Sequence, residues 1–209
     1  MPKVNESRDR APISVIRTHI DPELIEYINK TLHKNNIVPD RKGTLHVGTT
    51  NESIRKCTLV PISSQHWFAG MIWHHIQRSN QSNFRLDIHS FEDDAVSLMQ
   101  YEKGHHYTWH ADTLYPGDTL TKARRWKPLD NEEIYVRKLS FSLPLTDPSE
   151  YTGGKLQFYV QGENRKIHTI NQQLGQLIVF DSRVCHRVMP IKSGIRRALV
   201  GWVLGPLWK

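Results

Sequence analysis

The hydrophobic pattern divides the chain into two regimes. In "DPELIEYINKTLHK" (21–34) the apolar residues Leu24, Ile25, Ile28 and Leu32 recur at three- and four-residue intervals, which is one face of a helix. Asp21 suits the cap, because its carboxylate can accept a backbone N–H left unpaired in the first turn, and Pro22 suits that turn. The stretch "NNIVPDRKG" follows as a loop. "SSQHWFAGMIWHHIQRSN" (63–80) predicts a second helix, capped by Ser63 or Ser64, with Trp67, Met71, Ile72 and Ile76 facing a sheet. His74 and His75 lie on it and read as surface or interface histidines.

From residue 84 onward the period drops to two. "RLDIHSF", "AVSLMQYE", "HYTWHAD", "YVRKLSFSLPL", "KLQFYV", "RKIHTIN", "GQLIVFD", "HRVMPI" and "RALVGWVLG" are short runs rich in β-branched and aromatic residues. Turn clusters such as "EKGHH", "SEYTGG", "QGEN" and "KSG" separate them. Many short strands at this spacing predict a mainly β protein, a β-sandwich or jelly roll with the two helices bracing one sheet. The expected division is a helical and strand support region over 1–92 and a core over 93–209. The strand-poor segment 113–133 reads as a lid or substrate loop.

Candidate chemistry concentrates in "YEKGHHYTWHAD" (101–112). On a strand, positions i and i+2 point to one face, so His110 and Asp112 project an imidazole and a carboxylate together. His105 and His106 adjoin Gly104 and read as exposed turn residues. A third ligand is expected from a distant strand, and "GQLIVFDSRVCHRVMPIKSGIRRALVGW" (175–202) offers His186. Two histidines and a carboxylate are the facial triad of non-haem Fe(II) oxygenases, with zinc as the competing metal.

Arg196 tips the choice towards iron. If "PIKSG" is a turn, the next strand returns antiparallel to the one bearing His186. Arg196 would then lie about four residues, or ~13 Å, along the strand from the level of His186. An arginine and an extended five-carbon diacid together span such a gap, and a guanidinium is a bidentate partner for a carboxylate. By period two, Arg196, Ala198, Val200 and Trp202 share one face, with Arg197, Leu199 and Val203 on the other.

Composition adds little to this. The formal net charge of +7 permits an acidic partner, nucleic acid included, but Lys and Arg are spread along the chain. The two cysteines, Cys57 and Cys185, form no CxxC pair, so reduced thiols in a cytoplasmic protein are expected. The N-terminal stretch has no apolar h-region, and no apolar run approaches a membrane span, so neither a secretory signal nor a membrane partner is expected.

In their order, "YEKGHHYTWHAD", "EYTGGKLQFY" and "GQLIVFDSRVCHRVMPIKSGIRRALVGW" resemble the Fe(II)/2-oxoglutarate dioxygenases of the prolyl 4-hydroxylase-like group, the PKHD-type hydroxylases among them. The resemblance covers roughly residues 93–205, and it is weaker upstream around "ESIRKCTLV". It implies a double-stranded β-helix of the jelly-roll, cupin-like kind, with iron on His110, Asp112 and His186. It implies Arg196 on the distal carboxylate of 2-oxoglutarate, Tyr101 lining the cosubstrate pocket, and Tyr107 and Trp202 near iron and substrate. It further implies O₂ as the co-reactant and release of succinate and CO₂, with ascorbate left open as an accessory.

The chain departs from the pattern at two places. Lys155 stands where relatives usually carry Glu. Pro144 stands in a strand where an aromatic is common, which suggests a bulge or an edge. A tyrosine near there holds 2-oxoglutarate in some relatives, so the second contact to the distal carboxylate is open.

The leading expectation is an oxygenase that hydroxylates a protein or peptide residue, proline first. "KARRWK" (122–127), with Trp126, could hold an acidic peptide, or contact phosphates while Trp126 stacks on a base. An oxygenase acting on nucleic acid is therefore the alternative. It is weaker, because "RRALVGW" lacks the RxNxTxR pattern usual in nucleic-acid demethylases of the superfamily. A non-enzymatic cupin-like binding module ranks last, given the intact triad and clamp.

Overall fold

The computed structural model describes residues 12–16, 20–35, 52–112, 135–160 and 166–207. In chain order the elements begin with β1 (Ile13–Ile16), α1 (Pro22–Lys34), β2 (Arg55–Lys56), β3 (Thr58–Ser63), α2 (Trp67–Ser79), β4 (Ser90–Phe91) and β5 (Ala95–Tyr101). They continue with β6 (His106–His110), β7 (Tyr135–Pro144), β8 (Thr152–Gly153), β9 (Leu156–Val160) and β10 (Lys166–Ile170). The chain ends on β11 (Leu177–Asp181), β12 (Cys185–Val188), β13 (Ile191–Ser193) and β14 (Arg196–Pro206).

Two sheets face each other. The larger runs β1-β11-β7-β14-β5-β3, with β4 also on β14; the smaller runs β10-β9-β12-β6-β2. Alternation along each strand of the larger sheet sorts its side chains between two cores. Leu139, Phe141, Leu143, Leu177, Val179, Leu199 and Val203 pack with the helices. Met99, Tyr101, Ile178 and Phe180 turn the other way and meet Leu156, Phe158 and Val188 of the smaller sheet. The helices brace the larger sheet, as the apolar pattern predicts.

Asp21 caps α1, its side chain accepting from the Glu23 N–H at 3.0 Å, and Ile25, Ile28 and Leu32 are the buried stripe. Leu24 is not part of it. It is 41% exposed, as is Trp67 at 42% on α2, where Phe68, Ala69, Ile72 and Ile76 face the core instead. The cap of α2 is His66, not Ser63 or Ser64. Those hydroxyls are engaged in the preceding turn, Ser63 accepting from the Gln65 N–H and Ser64 bonding the Asp94 carboxylate.

"RLDIHSF" contributes only the two residues of β4. Asn80 satisfies Leu86 on both sides, accepting from its N–H at 2.9 Å and donating to its carbonyl at 2.8 Å, so this segment needs no ladder. Pro144 makes neither a bulge nor an edge strand: it is the last residue of β7, a central strand, opposite Ala198. There its missing N–H interrupts nothing.

The hairpin reading of "PIKSG" is also corrected. β13 pairs with β8, not with β12, and β14 crosses into the larger sheet. Gly153 allows that short pairing: its φ is +83°, and a Cβ there would lie 2.3 Å from the Pro190 carbonyl oxygen. His186 and Arg196 therefore stand on opposite sheets and meet across the interior.

Candidate active site

β6 and β12 are neighbours, and His186 lies directly opposite His110. Next to this pair the register shifts, so that Tyr107 rather than Thr108 faces Val188. The extra residue in β6 is a bulge, and it brings Tyr107 and His110 to the same side although they are three apart. Their rings stack with centroids 3.4 Å apart. The strand ends at His110, yet Asp112 stays in line because its N–H donates to the Ser182 carbonyl at 2.9 Å. His105 and His106 are half-buried rather than exposed, since the turn folds back on β13, with the Gly104 N–H donating to the Ile191 carbonyl and the Ile191 N–H to that of His105.

One ligand atom from each of His110, Asp112 and His186 lies within 4.8 Å of the others. Nε2 of His110 is 3.6 Å from one Asp112 oxygen, and Nε2 of His186 is 3.5 Å from the other. Nδ1 of His110 is 2.8 Å from the Thr108 carbonyl oxygen, and Nδ1 of His186 is 3.0 Å from that of Val184. Each carbonyl can only accept, so Nδ1 carries the proton and both Nε2 lone pairs point to the shared centre. Burial alone would raise the Asp112 carboxyl. The imidazoles of His186 and His110, with Arg137 behind, outweigh it and hold the group well below the usual carboxylate range. Burial lowers His186, against the pull of Asp112, which favours the neutral imidazole that binds metals. Two imidazole nitrogens and one carboxylate facing a cleft fit a divalent first-row ion such as Fe(II).

The cleft holds about 470 Å³ of space, part of it open to solvent, and runs between the sheets from the His–Asp–His group to Arg196. Phe158 and Phe180 pack against His186 on its inner side. Arg196 is 3% exposed, sits opposite Tyr101 and donates from Nη2 to Gln172 Oε1 at 2.9 Å. Tyr101 is fully buried, its hydroxyl donating to Met99 Sδ at 2.7 Å, and burial pushes that hydroxyl well up, so it is a neutral donor. Val200 and Trp202 share the cleft face with Arg196, as period two predicts, while Arg197 lies on the other face and donates to Gln100. Trp126 and the loop 113–133 lie outside the described residues.

Sequence reasoning missed Arg137, Glu92, Gln172 and Ser142. Arg137 grips both Glu92 carboxylate oxygens, donates from Nη1 to the Asp112 carbonyl at 3.2 Å, and lays its guanidinium 4.0 Å over the Trp202 ring. It thus ties a metal-ligand candidate to an aromatic of the cleft. The signal available was an arginine inside a β run, "YVRKLSF"; Glu92, 45 residues upstream, is not foreseeable by local pattern.

The family model of the 2OG-Fe(II) oxygenase superfamily matches residues 96–204. A PKHD-type hydroxylase of Synechococcus sp. (strain CC9902) is 33% identical over 109 residues, covering 52% of this chain and 40% of that protein. The chain thus spans less than half the length of the first curated relatives it matches. Among solved structures, it is similar to a viral collagen prolyl hydroxylase of Paramecium bursaria Chlorella virus-1 in its 2OG complex. That match has TM-score 0.65 and 17% identity, over 93% of this chain and 97% of the other. A Trichoplax adhaerens prolyl hydroxylase in complex with a hypoxia inducible factor peptide gives TM-score 0.66 and 17% identity, over 93% and 84%. These likenesses show a common fold, the double-stranded β-helix.

Proposed function

Because the chain belongs to the 2OG-Fe(II) oxygenase superfamily, we propose that it is an Fe(II)- and 2-oxoglutarate-dependent oxygenase that hydroxylates a prolyl residue in a protein or peptide. The observation that carries this reading is the convergence of His110 Nε2, His186 Nε2 and the Asp112 carboxylate at one end of a cleft whose other end holds Arg196. Support for a polypeptide substrate comes from the PKHD-type and prolyl hydroxylase relatives, one of them solved with a bound peptide. In this reading residues 93–209 carry the site and residues 1–92 support it.

Iron held by His110, Asp112 and His186 would supply the coupling of 2-oxoglutarate decarboxylation, giving succinate and CO₂, to oxidation of the substrate by O₂. The chain's own residues bind and orient. Arg196 holds the distal carboxylate by a charge-assisted bond in a dry site. The Thr108 and Val184 carbonyls fix the imidazole tautomers. Phe158 and Phe180 keep water from the inner side of the centre. Tyr107 and Trp202 line the cleft, where a prolyl ring would pack beside them.

The test is succinate release by the Fe(II)-loaded protein, with proline-containing peptides and with oligonucleotides. Peptide-stimulated release is expected. Stimulation by single-stranded DNA or RNA alone would overturn the peptide assignment. Salt separates the two further, since oligonucleotide affinity falls steeply with salt through counterion release.

A further inference from the structure

The proposed function draws on one face of the smaller sheet and leaves the other without a role. Leu156, Phe158, His186 and Val188 point to the interior, so alternation turns Gln157, Tyr159 and Arg187 to the outside, beside Ile167 and Thr169 of β10. Trp109 joins them, because the bulge that turns Tyr107 and His110 inward leaves it against Arg187. Both helices pack on the larger sheet, so among the described residues no helix covers this outer face.

The outer side chains hold one another in place. Arg187 lays its guanidinium 4.5 Å over the Trp109 ring and donates from Nε to Gln157 Oε1 at 2.8 Å. Gln157 is fixed in turn, its Nε2 donating to Thr169 Oγ1 at 2.9 Å. Tyr159 meets Trp109 edge-on, with ring centroids 6.4 Å apart. A guanidinium held through Nε and one face keeps its two terminal nitrogens for a partner. Among the described residues Arg187 has no carboxylate partner.

The charge of the sheet selects that partner. None of its five strands contains Asp or Glu. Arg187 on β12, Lys56 on β2 and Lys155 just before β9 set cations across the outer face. Of these, Lys56 pairs with the exposed Glu52 at 3.2 Å. Cations that are dispersed along the sequence are thus gathered by strand order.

We propose that this outer face docks single-stranded nucleic acid, with Arg187 and Lys155 on phosphates and a base stacked on Tyr159. An open sheet face that mixes aromatic rings with cations suits the unpaired bases of a flexible strand. A duplex hides its base faces, and an acidic peptide makes no use of the rings. The cleft opens on the other side of the sheet, so the strand is a docking partner rather than the substrate. The inference is therefore independent of the oxygenase reading. Trp109 and Arg187 adjoin His110 and His186 in the chain, which puts the docked strand directly behind the two histidines.

Fluorescence anisotropy of a short labelled oligouridylate with the full chain, over a salt series, tests this. Salt-dependent binding is expected, tighter than that of the matching duplex or of oligoglutamate. Tyr159→Leu should weaken it roughly five- to a hundredfold, the worth of one stacked base, with the salt slope kept. Arg187→Gln should weaken it and lower the salt slope by about one. Trp109→Leu should weaken it by freeing Arg187. If Arg187→Gln does not fold, Arg187→Lys carries the comparison: it keeps the charge but loses the Nε bond, so affinity should fall with the slope intact. Absence of binding, or unchanged affinity in these variants, overturns the inference. So does a loss seen only in Trp126→Ala, which moves the contact to "KARRWK". Equal affinity for the duplex shows general charge attraction, and equal affinity for oligoglutamate assigns the face to acidic peptides; either overturns it. Oligouridylate that stimulates succinate release is a substrate, and that outcome overturns the docking role.

Discussion

Replacing Glu92 with Gln probes how the centre is held. The Glu92 side chain is 7% exposed and that of Arg137 20%, and the two are joined by a forked ion pair. Removing one partner of a buried pair typically costs about 3–5 kcal/mol, because the other charge is left uncompensated. Arg137 is one-fifth exposed, keeps its bond to the Asp112 carbonyl, and can still donate to the amide oxygen of Gln. The lower end, about 3 kcal/mol, is therefore expected, which lowers the melting temperature by roughly 6–12 °C for a chain of this size. Arg137→Met should cost a similar amount and also loosen Asp112. Mutation of groups that orient a metal ligand typically weakens the metal about ten- to hundredfold. The assays are thermal melting of the metal-free protein and Mn(II) titration, run on both single variants and the double variant. Since the residues act as a unit, the double variant should lose little more stability than either single one. Strict additivity of the two losses, or unchanged Mn(II) affinity in Arg137→Met, would refute the reasoning.

Alanine at His110, Asp112 or His186 should abolish iron-dependent turnover, and retained turnover in Asp112→Ala would count against the metal assignment. Arg196→Ala should raise the apparent KM for 2-oxoglutarate roughly thirty- to several-thousand-fold, as loss of a desolvated charge pair does. Arg197→Ala should leave that KM in place, because Arg197 faces Gln100 on the helix side of the sheet; steady-state kinetics on both variants checks the strand phase. Gly153→Ala should lower the melting temperature and impair 2-oxoglutarate binding. Its Cβ would lie 2.3 Å from the Pro190 carbonyl oxygen at a φ of +83°, and the displaced β8–β13 pair adjoins Arg196 through Gly154.

By itself the sequence determined what depends on neighbours a few residues apart. The Asp21–Pro22 start of α1, the pairing of His110 with Asp112 and the shared face of Arg196, Ala198, Val200 and Trp202 all follow from helix and strand periodicity. The motif order also made the family legible. The breadth of a buried stripe was less so: Leu24 and Trp67 fit the helical period, but which flank meets the sheet depends on how the helix is rolled. Tertiary structure alone decided the strand partners. "PIKSG" reads locally as a hairpin, yet β14 joins β5 and β7, because its two-sided burial is met only between the helices and the second sheet. The same holds for the bulge that stacks Tyr107 on His110, and for the groups that Gln172 and Glu92 bring to Arg196 and Arg137. Gln172 and Glu92 are polar residues with no period to betray them, and each acquires its role from a partner 24 and 45 residues away, respectively, in the chain.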